Sequence, residues 1–127
     1  MTVTMTRVLN LQSLYPRIKE QVLPIRTTYK LTKLFNAIDD EAKFYSSELN
    51  KIIDTYAEKD EGGRPVPTED GTGVKLQKDS VVEAQAKITE LWNLEVELPD
   101  QKFSIDELEK IDLSIEEFNM LLPFIED

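Results

Sequence analysis

Leu31, Phe35, Ile38, Ala42, Tyr45, Leu49, Ile52 and Tyr56 follow one another at spacings of 4, 3, 4, 3, 4, 3 and 4. This is the a/d repeat that keeps one face of an α-helix against a partner, here for more than three heptads. No Gly or Pro interrupts it, and Asn36, Asp39, Asp40, Lys43, Ser46 and Asn50 fill the remaining positions. The spacing predicts a helix over 27–59, about 48 Å long at roughly 1.5 Å per residue. Thr27 or Thr28, just after Pro24, would cap its start. Leu34 and Ile53 widen the apolar stripe, so the helix should meet more than one neighbour. Tyr45 and Tyr56 are read as packing residues whose hydroxyls reach water, in preference to a ligand platform.

The helix must stop where the chain reaches Thr55–Val81, which holds six acids, two prolines and all four glycines. Gly62, Gly63 and Pro65 end the helix. The stretch RPVPTEDGTGVKL then predicts a β-hairpin, with Val66 and Thr68 on one arm, Val74 and Leu76 on the other, and Asp70-Gly71 at the turn. Pro65 and Pro67 suit edge strands only.

The flanks repeat the helical pattern on a smaller scale. Leu11, Leu14, Tyr15, Ile18 and Val22 predict a short helix over 11–23. The residues ahead of it, TVTMTRV, alternate as a short strand would, and nothing upstream of Met5 looks indispensable. Ser80 with Glu83 has capping-box spacing and opens a helix over 80–94, with Val81, Ala84, Ile88, Leu91 and Leu94 on one face and Trp92 beside it. Val96 and Leu98 predict a short strand before Pro99. Ser104 with Glu107 and Ser114 with Glu117 open two more short helices, about 105–110 and 115–122. Leu113, Phe118, Leu121, Leu122, Phe124 and Ile125 should fold back on the first half of the long helix. The expected fold is mainly α: a long antiparallel helical hairpin with a β-hairpin tip, short N- and C-terminal helices packed on it, and a minimal β-sheet. It forms one domain over 1–127, divided into 1–24, 27–59, 60–78, 80–98 and 103–127.

Composition narrows the chemistry. The chain has 127 residues, 40% hydrophobic and 31% charged, with no run long enough to span a membrane. No secretory signal is visible at the N-terminus. Cysteine and histidine are both absent, which removes thiolate catalysis, histidine bases and the usual transition-metal ligands. The acids Asp60, Glu61, Glu69 and Asp70 lack the EF-hand ligand spacing. Gly71–Gly73 lacks the Lys and Ser/Thr of a phosphate loop. Asp39, Asp40 and Glu41 splay around a helix axis. No catalytic residue, metal or cofactor is expected. The net charge of −10 disfavours nucleic acid as a partner.

Two surfaces remain as interaction candidates. One is the tip, through Arg64, Val66, Asp70 and Val74; the other reading of the tip is a plain connector. The second surface is the cationic flank of the long helix, through Arg26, Lys30 and Lys33; the plainer reading of such a charge run is solvated surface. The apolar stripe of the long helix exceeds what one short partner helix covers, so self-association is expected.

The stretches LPIRTTYKL, YAEKDEGG, NLEVEL and IDELEKIDLSIEEFNMLLPFIED, spread over 20–127, are together similar to a family of small acidic proteins encoded by bacterial viruses and prophages. YAEKDEGG departs slightly from the family's YGEKDEDG. The resemblance implies a viral gene context, in the bacterial cytoplasm or on the virion, and carries no catalytic residue. The function expected is a non-enzymatic protein–protein interaction with itself, a viral protein or a host factor. The alternative is inhibition of a host nucleic-acid enzyme or defence system, either by acidic mimicry of DNA or by sequestering a nucleotide signal. Sequestration would need a pocket lined by Arg17, Arg26 and Lys30.

Overall fold

A computed structural model describes residues 1–71 and 73–126; Thr72, inside the turn read above, and Asp127 lie outside the described residues. The chain runs β1 (Thr2–Thr4), α1 (Met5–Gln12), α2 (Tyr15–Ile18), α3 (Ile25–Tyr56), α4 (Val81–Trp92), β2 (Glu95–Glu97), α5 (Ile105–Glu109) and α6 (Ile115–Met120). Single 3₁₀ turns occupy Lys78–Ser80 and Leu122–Phe124. The fold is mainly helical, with one two-stranded antiparallel sheet. It divides into two compact units, Met1–Ala42 with Glu95 onward, and Lys43–Leu94.

In the first unit β1 pairs with β2, Val3 facing Val96. Both valines are buried while their neighbours are exposed, as the period of two requires. The Met1 ammonium donates to the Leu98 carbonyl at 2.9 Å, and the Leu98 N–H donates to the Met1 carbonyl at 2.8 Å. Residues ahead of Met5 are therefore part of the fold, contrary to the sequence reading. The helix expected over 11–23 is also corrected. Thr4 caps α1 by accepting from the Arg7 N–H, so Met5, Val8 and Leu11 supply the buried stripe. The chain breaks after Gln12, and Pro16 sits in the first turn of α2, where its missing N–H costs nothing.

α3 begins at Ile25, two residues before the position expected. The Pro24 carbonyl already accepts the Thr28 N–H at 3.0 Å, so neither threonine is needed as a cap. Thr27 is instead buried, and its hydroxyl donates to Glu107 Oε2 at 3.3 Å. The seam splits by burial. Leu31, Leu34, Phe35, Ile38 and Ala42 are buried with Met5, Leu14, Phe103, Leu121 and Phe124 in the first unit. Tyr45, Leu49, Ile52 and Tyr56 are only half-buried. The C-terminal end is fastened by a parallel bridge between Phe103 and Ile125.

In the second unit the Trp92 indole N–H donates to the Tyr45 hydroxyl at 3.0 Å. The Tyr56 hydroxyl donates to Glu83 Oε1, also at 3.0 Å. The capping box expected at Ser80 is absent: Ser80 ends a 3₁₀ turn and its side chain caps nothing, and Glu83 is engaged by Tyr56 instead. α3 ends at Tyr56 because Glu58 gives its N–H to the Lys75 carbonyl at 2.8 Å and leaves the helical ladder. The tip has a third arm that the sequence did not announce. Pro67 bridges Val74, Lys59 bridges Pro65, and Ala57 bridges Leu76. The central residues are bonded in a circuit: Glu58 N–H to Lys75, Lys75 N–H to Val66, and Val66 N–H to Glu58, all to carbonyls at 2.8–2.9 Å.

Candidate interaction surfaces

The tip residues singled out from sequence divide by burial. Arg64 and Asp70 are exposed, whereas Val66 and Val74 are half-buried on their arms. Asp60 organises the first bend by accepting from the Gly62 and Arg64 N–H groups at 2.9 and 3.0 Å. Thr68 donates to Asp70 at 2.5 Å across the second. Gly63 and Gly71 have φ of +79° and +74°, a region that L side chains enter only at a cost. The carboxylates here thus hold turns. Among the described residues no acidic cluster has metal-holding geometry.

The cationic flank is corrected at Lys30. Its ammonium donates to Glu107 Oε1 at 2.9 Å and to the Lys102 carbonyl at 2.8 Å, and lies 5.6 Å from the centre of the Phe103 ring. Lys30 is a tether inside the first unit, not a free surface cation. Arg17 is committed in the same way, to Glu117 at 3.3 Å and to Asp112. Arg17 and Lys30 are thus engaged by different carboxylates, Glu117 and Glu107.

Arg26 and Lys33 remain on the surface. With Ile25 and Tyr29 they share the α3 face opposite Thr27, Leu31, Leu34 and Ile38, because residues three, four and seven apart stack on one side of a helix. Ile25 is 88% exposed, and Val22, just ahead of the helix, is fully exposed. The Lys33 ammonium stands 5.0 Å from the centre of the Tyr29 ring, a cation–π contact that holds the aromatic face outward. No acid occurs between Glu20 and Asp39, so this face is locally basic on an acidic chain.

A second surface was hidden in the capping boxes. Ser104-Ile105-Asp106-Glu107-Leu108 and Ser114-Ile115-Glu116-Glu117-Phe118 are one motif repeated after ten positions. Both boxes form in full. In each, the Glu that closes the box also holds a cation from the N-terminal part of the chain, Lys30 for Glu107 and Arg17 for Glu117. Each box presents its isoleucine outward, Ile105 at 52% and Ile115 at 82% exposure. Between the two turns runs a groove of about 300 Å³, lined by Leu108, Ile111, Leu113 and Phe118 as well as these isoleucines. Glu109 is part of its lining, and Asp106, Lys110 and Glu116 are exposed next to lining residues in the chain. The repeat was legible in sequence; the outward isoleucine was not, since capping spacing says where a helix starts and not which face is covered.

The shifted carboxyls all have structural partners. Burial pushes Glu107 up, but the bonds from Lys30, Ser104 and Thr27 outweigh it and hold the carboxyl below its ordinary value. Glu117 is lowered chiefly by the Ser114 N–H, with help from Arg17. Glu97 is lowered by the Thr2 hydroxyl and the N-terminal ammonium. The Tyr56 phenol is raised by its bond to Glu83. A separate cavity of about 580 Å³ opens where α1 and α2 meet α3, lined by Leu9, Tyr15, Phe35 and Ile38 with Gln12 and Asp39 at its margin. No family model, no curated protein and no solved structure matches this chain. No helix among the described residues is long and apolar enough to cross a membrane.

Proposed function

We propose that this chain is a non-enzymatic protein–protein interaction module of a bacterial virus or prophage, acting in the host cytoplasm or on the virion. The observation that carries the reading is the exposure of large apolar side chains, eleven among the described residues, including Val22, Ile25, Val82 and Ile115. Single exposed apolar residues are ordinary, but grouped ones, as Ile25 with Tyr29 on α3 and Ile105 with Ile115 at one groove, mark a place where another chain can sit. The reading is also supported by the groups with displaced pKa values, each of which is spent on a cap, a strand end or a helix contact. Acid–base catalysis needs such groups facing a substrate. In this reading α3 and α4 form an antiparallel helical hairpin carrying the three-armed tip, fixed by the Tyr45–Trp92 and Tyr56–Glu83 bonds. Viral origin rests on the resemblance of the LPIRTTYKL, YAEKDEGG and NLEVEL stretches.

The test is affinity capture from phage-infected bacteria with the tagged chain and with a variant whose residues 62–75 are replaced by a Gly/Ser linker. The reading expects a viral or host protein to be enriched by the wild-type chain. Loss of that protein from the variant assigns binding to the tip, and retention assigns it to the helices. A wild-type chain that enriches nothing but itself overturns the heterologous partner.

A further inference from the structure

The exposed face of α3 and the groove between α5 and α6 are opposite in character and belong to the same compact unit. The first offers Ile25, Tyr29 and, just ahead of the helix, Val22, flanked by Arg26 and Lys33. The second offers an apolar trough between Ile105 and Ile115 with Glu109 in its lining, and with Asp106, Lys110 and Glu116 exposed next to lining residues in the chain. Both belong to elements that one carboxylate joins, since Thr27 and Lys30 on α3 bond Glu107 on α5, while the exposed α3 face lies on the side of the helix away from Thr27. We infer that the chain forms a symmetric dimer in which the basic α3 face of each copy seats on the acidic α5–α6 groove of the other.

Three arguments select a second copy as the occupant. Charge is complementary: a face with cations and no acids meets a groove flanked by three acids, Asp106, Glu109 and Glu116, and one cation, Lys110, although the chain as a whole carries −10. At about 0.1 M salt the screening length is near 10 Å, so charges in contact count for more than the distant net repulsion. The apolar parts also match, since an isoleucine and a tyrosine projecting from a helix can fill a groove that its own chain leaves open. Finally, two complementary patches on one unit allow a two-fold axis, which forms each contact twice and closes the assembly. This inference deepens the protein–protein reading by naming one partner. It concerns the purified chain alone, so its failure leaves capture of a heterologous protein as a separate result.

The experiment is sedimentation velocity on the purified chain and on two charge-reversed variants, with circular dichroism to verify folding. One variant carries Arg26→Glu and Lys33→Glu; the other carries Glu109→Lys and Glu116→Lys. Wild type is expected at twice 14.6 kDa. Each variant alone should self-associate about tenfold more weakly or worse, because like charges then meet at both contacts. An equimolar mixture of the two should recover the dimer, since every reversed patch meets a reversed partner. A wild-type chain that stays at 14.6 kDa overturns the inference and leaves the α3 face to a different acidic partner. Variants that dimerise as wild type does, or a mixture that fails to recover, overturn it as well.

Discussion

Lys30 and Glu107 are 77 positions apart in the chain and meet at 2.9 Å. Glu107 closes its own capping box, takes the Thr27 hydroxyl and receives Lys30, so one carboxylate fixes both the start of α5 and its place beside α3. Its pKa is lowered in the folded state. The native chain then binds fewer protons than the unfolded one between the folded and unfolded values. Stability from this group is fully present above the unfolded pKa and is lost as pH falls through the folded one. Glu97 and Glu117 have the same sign. Urea midpoints should therefore fall as pH drops below about 4.5, the ordinary glutamate value, and Glu107→Gln should flatten that fall. A Gln variant with the wild-type acid profile would place the pH dependence elsewhere.

Lys30→Met keeps most of the side-chain volume and removes the ammonium that bonds Glu107 and the Lys102 carbonyl. With both partners part-buried, the loss should be about 1–3 kcal/mol in urea unfolding. A loss under about 0.5 kcal/mol would mean water replaces the ammonium without penalty.

The two halves of the α3 seam should respond differently to truncation. Leu34 is fully buried, and Leu34→Ala should cost about 2–5 kcal/mol by cavity formation. Leu49 is half-buried beside a groove of about 460 Å³, and Leu49→Ala should cost roughly half as much or less on the same scale. Equal costs would show that Leu49 is covered in solution.

Ser104→Ala and Ser114→Ala each remove a cap hydroxyl that accepts from a Glu N–H at 3.1 Å. Each should lower stability by about 0.5–2 kcal/mol. Ser80→Ala should change stability by no more than a few tenths, because no cap bond is formed there; a loss equal to that at Ser104 would contradict the 3₁₀ geometry.

Much of the long helix was readable because a 4,3 repeat without Gly or Pro permits little else. The strand at Glu95–Glu97 and the turns at Ser104 and Ser114 were readable from alternation and from cap spacing. What escaped was set by competition between local signals. Thr4 outranks anything ahead of Leu11 as a cap, so α1 starts early and the expected 11–23 helix is cut by Pro16. Ser80 has the right spacing from Glu83 but loses to a 3₁₀ turn that precedes it. At the surface, sequence could mark Arg26, Lys30 and Lys33 as a cationic run. Which of them is spent depends on Glu107, 77 positions from Lys30, and no local pattern reports a pairing over that distance.

The three-armed tip has one more consequence. In an ordinary hairpin each outer arm keeps a row of unpaired N–H and C=O groups, and another chain can extend the sheet by lying alongside. Here Glu58, Val66 and Lys75 each give their N–H to one neighbour and their C=O to the other, and Pro65 and Pro67 have no N–H to offer. At its waist the tip has no open margin for strand addition. It is thus protected from templating aggregation there, and a partner that recognises it must do so through projecting side chains such as Arg64 and Asp70.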